Sequence, residues 1–92
     1  MRISVELFGL AKQIVGEKKV KINLQNKNTL KDLSQELTKK YPKLLGKVIK
    51  EKTFKTIPPY MFNLDGKHTI TDLNFKLQED NKLLLLFVTI GG

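Results

Sequence analysis

The chain contains no cysteine, which excludes disulfides, thiolate metal ligands and Cys-based redox or nucleophilic chemistry. That absence fits the cytoplasm, where the protein is expected. Histidine occurs once, at His68, beside the turn residues Asp65-Gly66. A lone imidazole there reads as a surface group and has no companions for a metal site. With one histidine and no thiol, nucleophilic triads are nearly excluded. Glu79 and Asp80 are adjacent in a polar turn, so they diverge rather than face each other as an acid/base pair. Gly9 and Gly16 lack the spacing and motif of a phosphate-cradling loop. The longest apolar run, Leu83 to Val88, falls far short of the ~20 residues that cross a membrane. Strand-like alternation begins at Met1-Arg2-Ile3-Ser4-Val5, so no signal peptide is expected.

Arginine is also nearly missing, with Arg2 alone, yet the formal charge is +8. Lysine supplies it, in clusters at 18–21, 39–43 and 47–55. A basic surface speeds encounter with an acidic partner or with nucleic acid. Specific phosphate and base recognition usually recruits arginine and stacking aromatics, so a solvated lysine surface is the simpler reading and a nucleic-acid partner is not expected. A lysine-rich nucleic-acid-binding module remains the alternative of another class. The 92 residues, 40 % hydrophobic and 28 % charged, suit one soluble domain spanning 1–92 with a single core.

Alternation of Ile3, Val5 and Leu7 against Arg2, Ser4, Glu6 and Phe8 predicts a strand with one buried face. Leu10 to Val15 reads as a short helix stopped by Gly16 in a left-handed cap. Lys19 to Leu24 alternates again, as the return arm of a hairpin-like turn. Thr29 with Asp32 three residues on predicts a capped helix start. Leu30, Leu33, Leu37 and Tyr41 give that helix its apolar stripe over about 30–41, ended by Pro42. Residues 43–58 are hard to read; Leu44-Leu45 and Val48-Ile49 hint at a further helical turn. Tyr60 to Leu64 reads as a strand, Asp65-Gly66 as a two-residue hairpin turn and Lys67 to Ile70 as its return. Leu73 and Leu77 anchor a connection, 79–81 is a turn, and Lys82 to Thr89 is the last strand.

That last strand is apolar on both faces, which predicts a central position. Parity assigns Leu83, Leu85 and Phe87 to the core and Leu84, Leu86 and Val88 to the other face, where Phe8 joins them. Such a patch is either a docking surface or is covered by a loop or by lysine stems.

The sequence closes on Gly91-Gly92. At an average glycine usage of about 7 %, two given positions are both glycine in roughly 0.5 % of chains. Two residues without side chains after a strand predict a thin tail, about 89–92, whose carboxylate can enter a narrow active site on another protein. The reactive group expected from this pattern is the chain's own C-terminus.

In this order of elements the chain resembles the ubiquitin-like sulfur-carrier (MoaD/ThiS-like) family, which feeds sulfur to molybdopterin and thiamine synthesis. The matching pieces are Leu7-Phe8-Gly9-Leu10-Ala11 with Val15-Gly16, Thr29-Leu30-Lys31-Asp32-Leu33, and Leu85 through Gly92. Its length and the Phe-Gly and Val-Gly opening are most similar to the small subunit of molybdopterin synthase. Three features depart from the family: Glu79-Asp80-Asn81 where a Gly-Asp pair is frequent, a strongly basic charge where many members are acidic, and a long 46–59 stretch. They put the partner's identity in question and leave the general role intact.

The resemblance implies an α+β β-grasp fold, with a mixed sheet of four to five strands packed on one main helix. It implies a carrier rather than an enzyme. An E1-like enzyme would transfer AMP from ATP to the carboxylate of Gly92, and a sulfur nucleophile would then convert the adenylate to a thiocarboxylate. The sulfur would pass to a precursor held by a second protein, the large subunit of molybdopterin synthase. The alternatives are tRNA thiolation, thiamine synthesis or protein modification. The implied sites are Gly91 and Gly92 for the chemistry and Phe8, Leu84, Leu86 and Val88 for docking. No metal or cofactor is expected on the chain itself, since ATP would be used by the partner.

Overall fold

The computed structural model describes residues 1–88. Five strands, β1 (Arg2–Leu7), β2 (Lys19–Asn23), β3 (Tyr60–Leu64), β4 (His68–Ile70) and β5 (Lys82–Phe87), form one mixed sheet in the order β2-β1-β5-β3-β4. β1 pairs antiparallel with β2 and parallel with β5, while β3 is antiparallel to both β5 and β4. The last strand is therefore central, as its unbroken apolar sequence predicts. Leu83 and Leu85 are buried and Leu84 and Leu86 half-buried, so both faces carry leucine.

Helix α1 (Gly9–Val15) follows β1 and ends at Gly16, which is left-handed (φ +83°) as expected. The main helix, α2 (Leu30–Lys40), buries Leu30, Leu33 and Leu37 in the cluster that contains Ile3, Val5, Leu7, Phe62 and Leu85. Its first turn is fully satisfied. Thr29 and Asp32 exchange side-chain-to-amide bonds, with Asp32 N–H donating to Thr29 Oγ1 (3.1 Å) and Thr29 N–H donating to Asp32 Oδ2 (3.0 Å). The amides of Leu30 and Lys31 donate to Phe75 O and Leu73 O, both at 2.9 Å. The connection that Leu73 and Leu77 anchor is thus also a strap across the helix start. Leu77 is buried, and its amide donates to Asn28 O (2.6 Å).

Asp65 (φ +56°) and Gly66 (φ +73°) are both left-handed, and Lys67 N–H donates to Leu64 O (2.9 Å). Leu64 pairs with His68, however, so Lys67 joins the turn rather than the return strand. Asp65 also ties two turns together: its Oδ1 accepts from Lys82 N–H (2.7 Å) and its Oδ2 from Asn81 Nδ2 (3.3 Å). Asn81 Oδ1 in turn accepts from Gln78 N–H (2.7 Å), which explains the polar composition of 79–81.

The stretch after α2 holds a short 3₁₀ turn at Pro42–Leu44, and beyond it no further helix forms among the described residues. It folds on itself through isolated bridges, Leu45 with Ile49 and Ile49 with Thr56, while Leu44, Val48 and Ile49 are buried. Ser34 Oγ on α2 donates to Phe54 O (2.7 Å) and pins the far side of this loop. The apolar pairs noted in the sequence are core anchors of a loop rather than a helical stripe. The final strand ends at Phe87, and Thr89 lies outside the described residues.

Burial pushes the Asp32 carboxyl up, but the Thr29 hydroxyl and amide, the Lys27 charge and the Asn28 backbone outweigh it and hold the group below its ordinary value of 3.8. The unfolded chain then takes up the proton first as pH falls. The stabilisation is complete above the unfolded value and is lost as pH drops through the lower folded value. Thr29→Ala should cost about 1 kcal/mol in urea unfolding at neutral pH. Asp32→Asn should flatten the acid limb of the stability curve, and an acid limb identical to wild type would contradict the assignment.

Candidate functional site

Parallel pairing of β1 and β5, with Leu7 opposite Leu85, makes both strands finish at the same end of the sheet. Phe8, which follows β1, and Val88, which follows β5, therefore leave from the same edge. Tyr60 begins β3 at that edge and lies opposite Phe87. Its buried hydroxyl donates to Phe8 O (2.8 Å) and accepts from Ala11 N–H (3.0 Å). This contact has a local cause. Phe8 occupies the N-cap position of α1 but has no polar side chain to offer the first-turn amides. Tyr60, 49 residues away from Ala11, does that work from another strand.

Gly9 completes the corner. It is left-handed (φ +58°), and a Cβ there would lie 2.6 Å from Phe87 Cε1 and 3.0 Å from Tyr60 Oη. The Phe87 ring stands edge-on to Tyr60, with centroids 5.8 Å apart and planes at 74°. Val88 N–H donates to Pro59 O (2.9 Å), the last backbone bond among the described residues before the tail.

Phe87 is a correction to the expected core. It keeps the parity of Leu83 and Leu85 but is 47 % exposed. The core cluster stops at Leu85 and Tyr60, so the next inward position on β5 overhangs the sheet end and rests on Gly9. Of the residues expected on the opposite face, strand pairing places Leu84 and Leu86 there, whereas Val88 lines a groove beside β3 with Tyr60 and Phe62. Leu84 lies between Glu6 and Asn63, and Leu86 lies beside Met61. Phe8, Leu84 and Leu86 are half-buried and Val88 is 40 % exposed. Among the described residues the exposed large hydrophobics are Leu10, Phe87 and Val88, so Phe8, Leu84 and Leu86 are only partly open to solvent. Asn63 Oδ1 on this face is buried with no hydrogen-bond partner among the described residues. Gly91 and Gly92 lie outside the described residues.

The corner built by Gly9, Tyr60 and Phe87 is not apparent in the sequence. Gly9 gives a turn signal, but Tyr60 reads only as a strand residue and Phe87 only as core. An open groove of about 780 Å³ lies beside the corner, between β3, β4 and the start of α2. Among the described residues Lys55 and Tyr60 are its only ionisable lining groups. Among the described residues no three His, Cys, Asp or Glu side chains gather as a metal site. His68 is exposed on β4. No helix is long and apolar enough to cross a membrane.

No protein-family model matches the sequence, and no curated protein matches it. Solved structures do match. SAMP1 of Haloferax volcanii superposes with a TM-score of 0.81 at 17 % identity, covering 100 % of both chains. A chain of the BexX/CysO complex of Amycolatopsis orientalis gives 0.75 at 15 % identity, covering 98 % of this chain and 99 % of that one. A chain of the complex between subunits 1 and 2 of molybdopterin-converting factor from Helicobacter pylori gives 0.63 at 23 % identity, with full coverage of both.

Tyr60→Phe should leave the Ala11 amide buried without an acceptor. The expected cost is about 1–3 kcal/mol in chemical unfolding, and a loss of only a few tenths would show that the hydroxyl does not hold the corner. With that corner, a central last strand and one main helix across the sheet, the chain is a β-grasp domain of the ubiquitin-like kind.

Proposed function

We propose that the protein is a sulfur carrier whose reacting group is the carboxylate of Gly92, serving molybdopterin synthesis. The observation that carries this reading is the chain exit. Val88 leaves the sheet at the end where the half-buried Phe8 follows β1, so a partner seated on Phe8, Leu84 and Leu86 would lie beside the end of β5. Support comes also from the full-length likeness to a chain of the Helicobacter pylori complex of molybdopterin-converting factor subunits.

The chemistry divides between carrier and partner. A carboxylate oxygen of Gly92 attacks the α-phosphorus of ATP on an E1-like enzyme, and pyrophosphate leaves. A sulfide-level nucleophile then attacks the carbonyl carbon of the acyl adenylate, and AMP departs with the bonding pair. The resulting thiocarboxylate delivers its sulfur on a large synthase subunit. The carrier contributes the acyl group, a tail thin enough to reach a recessed site, and the face that docks. On this reading the acids, bases and metal belong to the partners. The cytoplasm is the compartment in which we place this exchange.

A second reading follows from the likeness to SAMP1, which is described in Haloferax volcanii as a small archaeal modifier protein. On this reading an activated Gly92 acylates a lysine amine of another protein, forming an isopeptide bond with loss of AMP.

Deleting Gly92 should abolish sulfur transfer in a reconstituted system while leaving the unfolding midpoint unchanged. Transfer at the wild-type rate would end the carrier reading. Leu86→Asp should weaken docking by about 1–3 kcal/mol in titration calorimetry with the activating enzyme, without loss of fold. Lysines carrying the ten-residue remnant Leu83–Gly92 in tryptic digests of cellular proteins, with molybdopterin levels normal in a knockout, would favour the modifier over the molybdopterin role.

A further inference from the structure

The face of Leu84 and Leu86 explains where a partner sits. It does not explain why an aromatic ring is held outside the core at the very base of the tail. Phe87 exposes nearly half its surface, an arrangement that forgoes burial of an apolar side chain. Its position is nonetheless tightly determined. One ring edge occupies the space that a Cβ on residue 9 would fill, at 2.6 Å from that site. The ring meets Tyr60 edge-on, and Tyr60 is locked in turn by bonds to Phe8 O and Ala11 N–H. The next residue, Val88, is fixed by its amide bond to Pro59 O. Two constraints on successive residues, one on a side chain and one on the backbone, define a direction as well as a point.

We propose that Phe87 is a positioning residue: by wedging between Gly9 and Tyr60 it sets the direction in which the chain leaves the sheet, and so how Gly92 is presented to the activating enzyme. The inference rests on the carrier reading above and deepens it. A carboxylate must approach the α-phosphorus of ATP in line with the departing pyrophosphate, and such alignment is sensitive to small displacements. Glycine at position 9 is part of the device, because any side chain there would evict the ring.

The test uses full-length protein, ATP and the E1-like enzyme, with formation of the Gly92 adenylate followed at saturating carrier. Phe87→Ala should lower kcat about tenfold, lower the melting temperature by several degrees without loss of the fold, and reduce the heteronuclear NOE of the Val88 amide. Phe87→Tyr should restore all three readouts. Gly9→Ala should lower kcat in the wild-type background and have a smaller further effect on kcat in the Phe87→Ala background, where only the Tyr60 contact and the left-handed backbone still oppose it. An unchanged kcat in Phe87→Ala would overturn the proposal, and so would a rise in KM alone, which would make Phe87 part of the docking face. A wild-type protein that forms no adenylate would instead overturn the carrier reading, and the proposal with it.

Discussion

The structure depends on one pairing, the parallel ladder between the first strand and the last at the centre of the sheet. Ser4 to Leu7 lie opposite Lys82 to Leu85, and no turn can make such a contact. Everything between the two strands must be folded before it closes, which makes it the least local element of the fold. It buries Val5, Leu7, Leu83 and Leu85 on one side against α2. It also decides where the last strand finishes. Because the two strands run the same way, the exit of β5 is brought to the β1–α1 corner, beside Phe8 and Gly9.

Much of this was legible because short-range chemistry and long-range packing agree. The Thr29–Asp32 pair, the leucine stripe behind it, and the left-handed Asp65-Gly66 turn are each determined within a few residues, and each formed as expected, save that Lys67 joins the turn. The unbroken apolar run 83–88 signalled a central strand because only a strand with neighbours on both sides needs two apolar faces. The loop after α2 was illegible for the opposite reason. Its conformation rests on isolated bridges, a left-handed Phe54 and the distant Ser34 hydroxyl, none of which has a periodic signature. Phe87 misled because parity reports which face a residue points to and not how far the core extends along it. Tyr60 could not be read as the cap of α1, since the signal lies on another strand.

The candidate site was legible to a similar extent. Leu84 and Leu86 share the face opposite the core, as alternation alone suggests, while Val88 lines the groove beside β3. The rigid corner of Gly9, Tyr60 and Phe87 emerged only from the packing. The end of β5 is held by a tyrosine bridging two backbone groups and by an aromatic ring packed over a glycine. The lysine charge is spread over β2, the end of α2 and the 43–55 loop rather than gathered at the exit. It therefore suits steering and solubility more than recognition.

The central claim is that the terminal carboxyl group of this chain is chemically activated in the cell. Top-down mass spectrometry of the protein isolated from its own organism tests it most directly, by fragmenting the intact chain and weighing the last residue. The account predicts a fraction of molecules in which Gly92 carries sulfur in place of one carboxyl oxygen, or is joined through its carbonyl to another molecule. A population carrying only an unmodified carboxylate, in cells actively making the sulfur-containing cofactor, would contradict it.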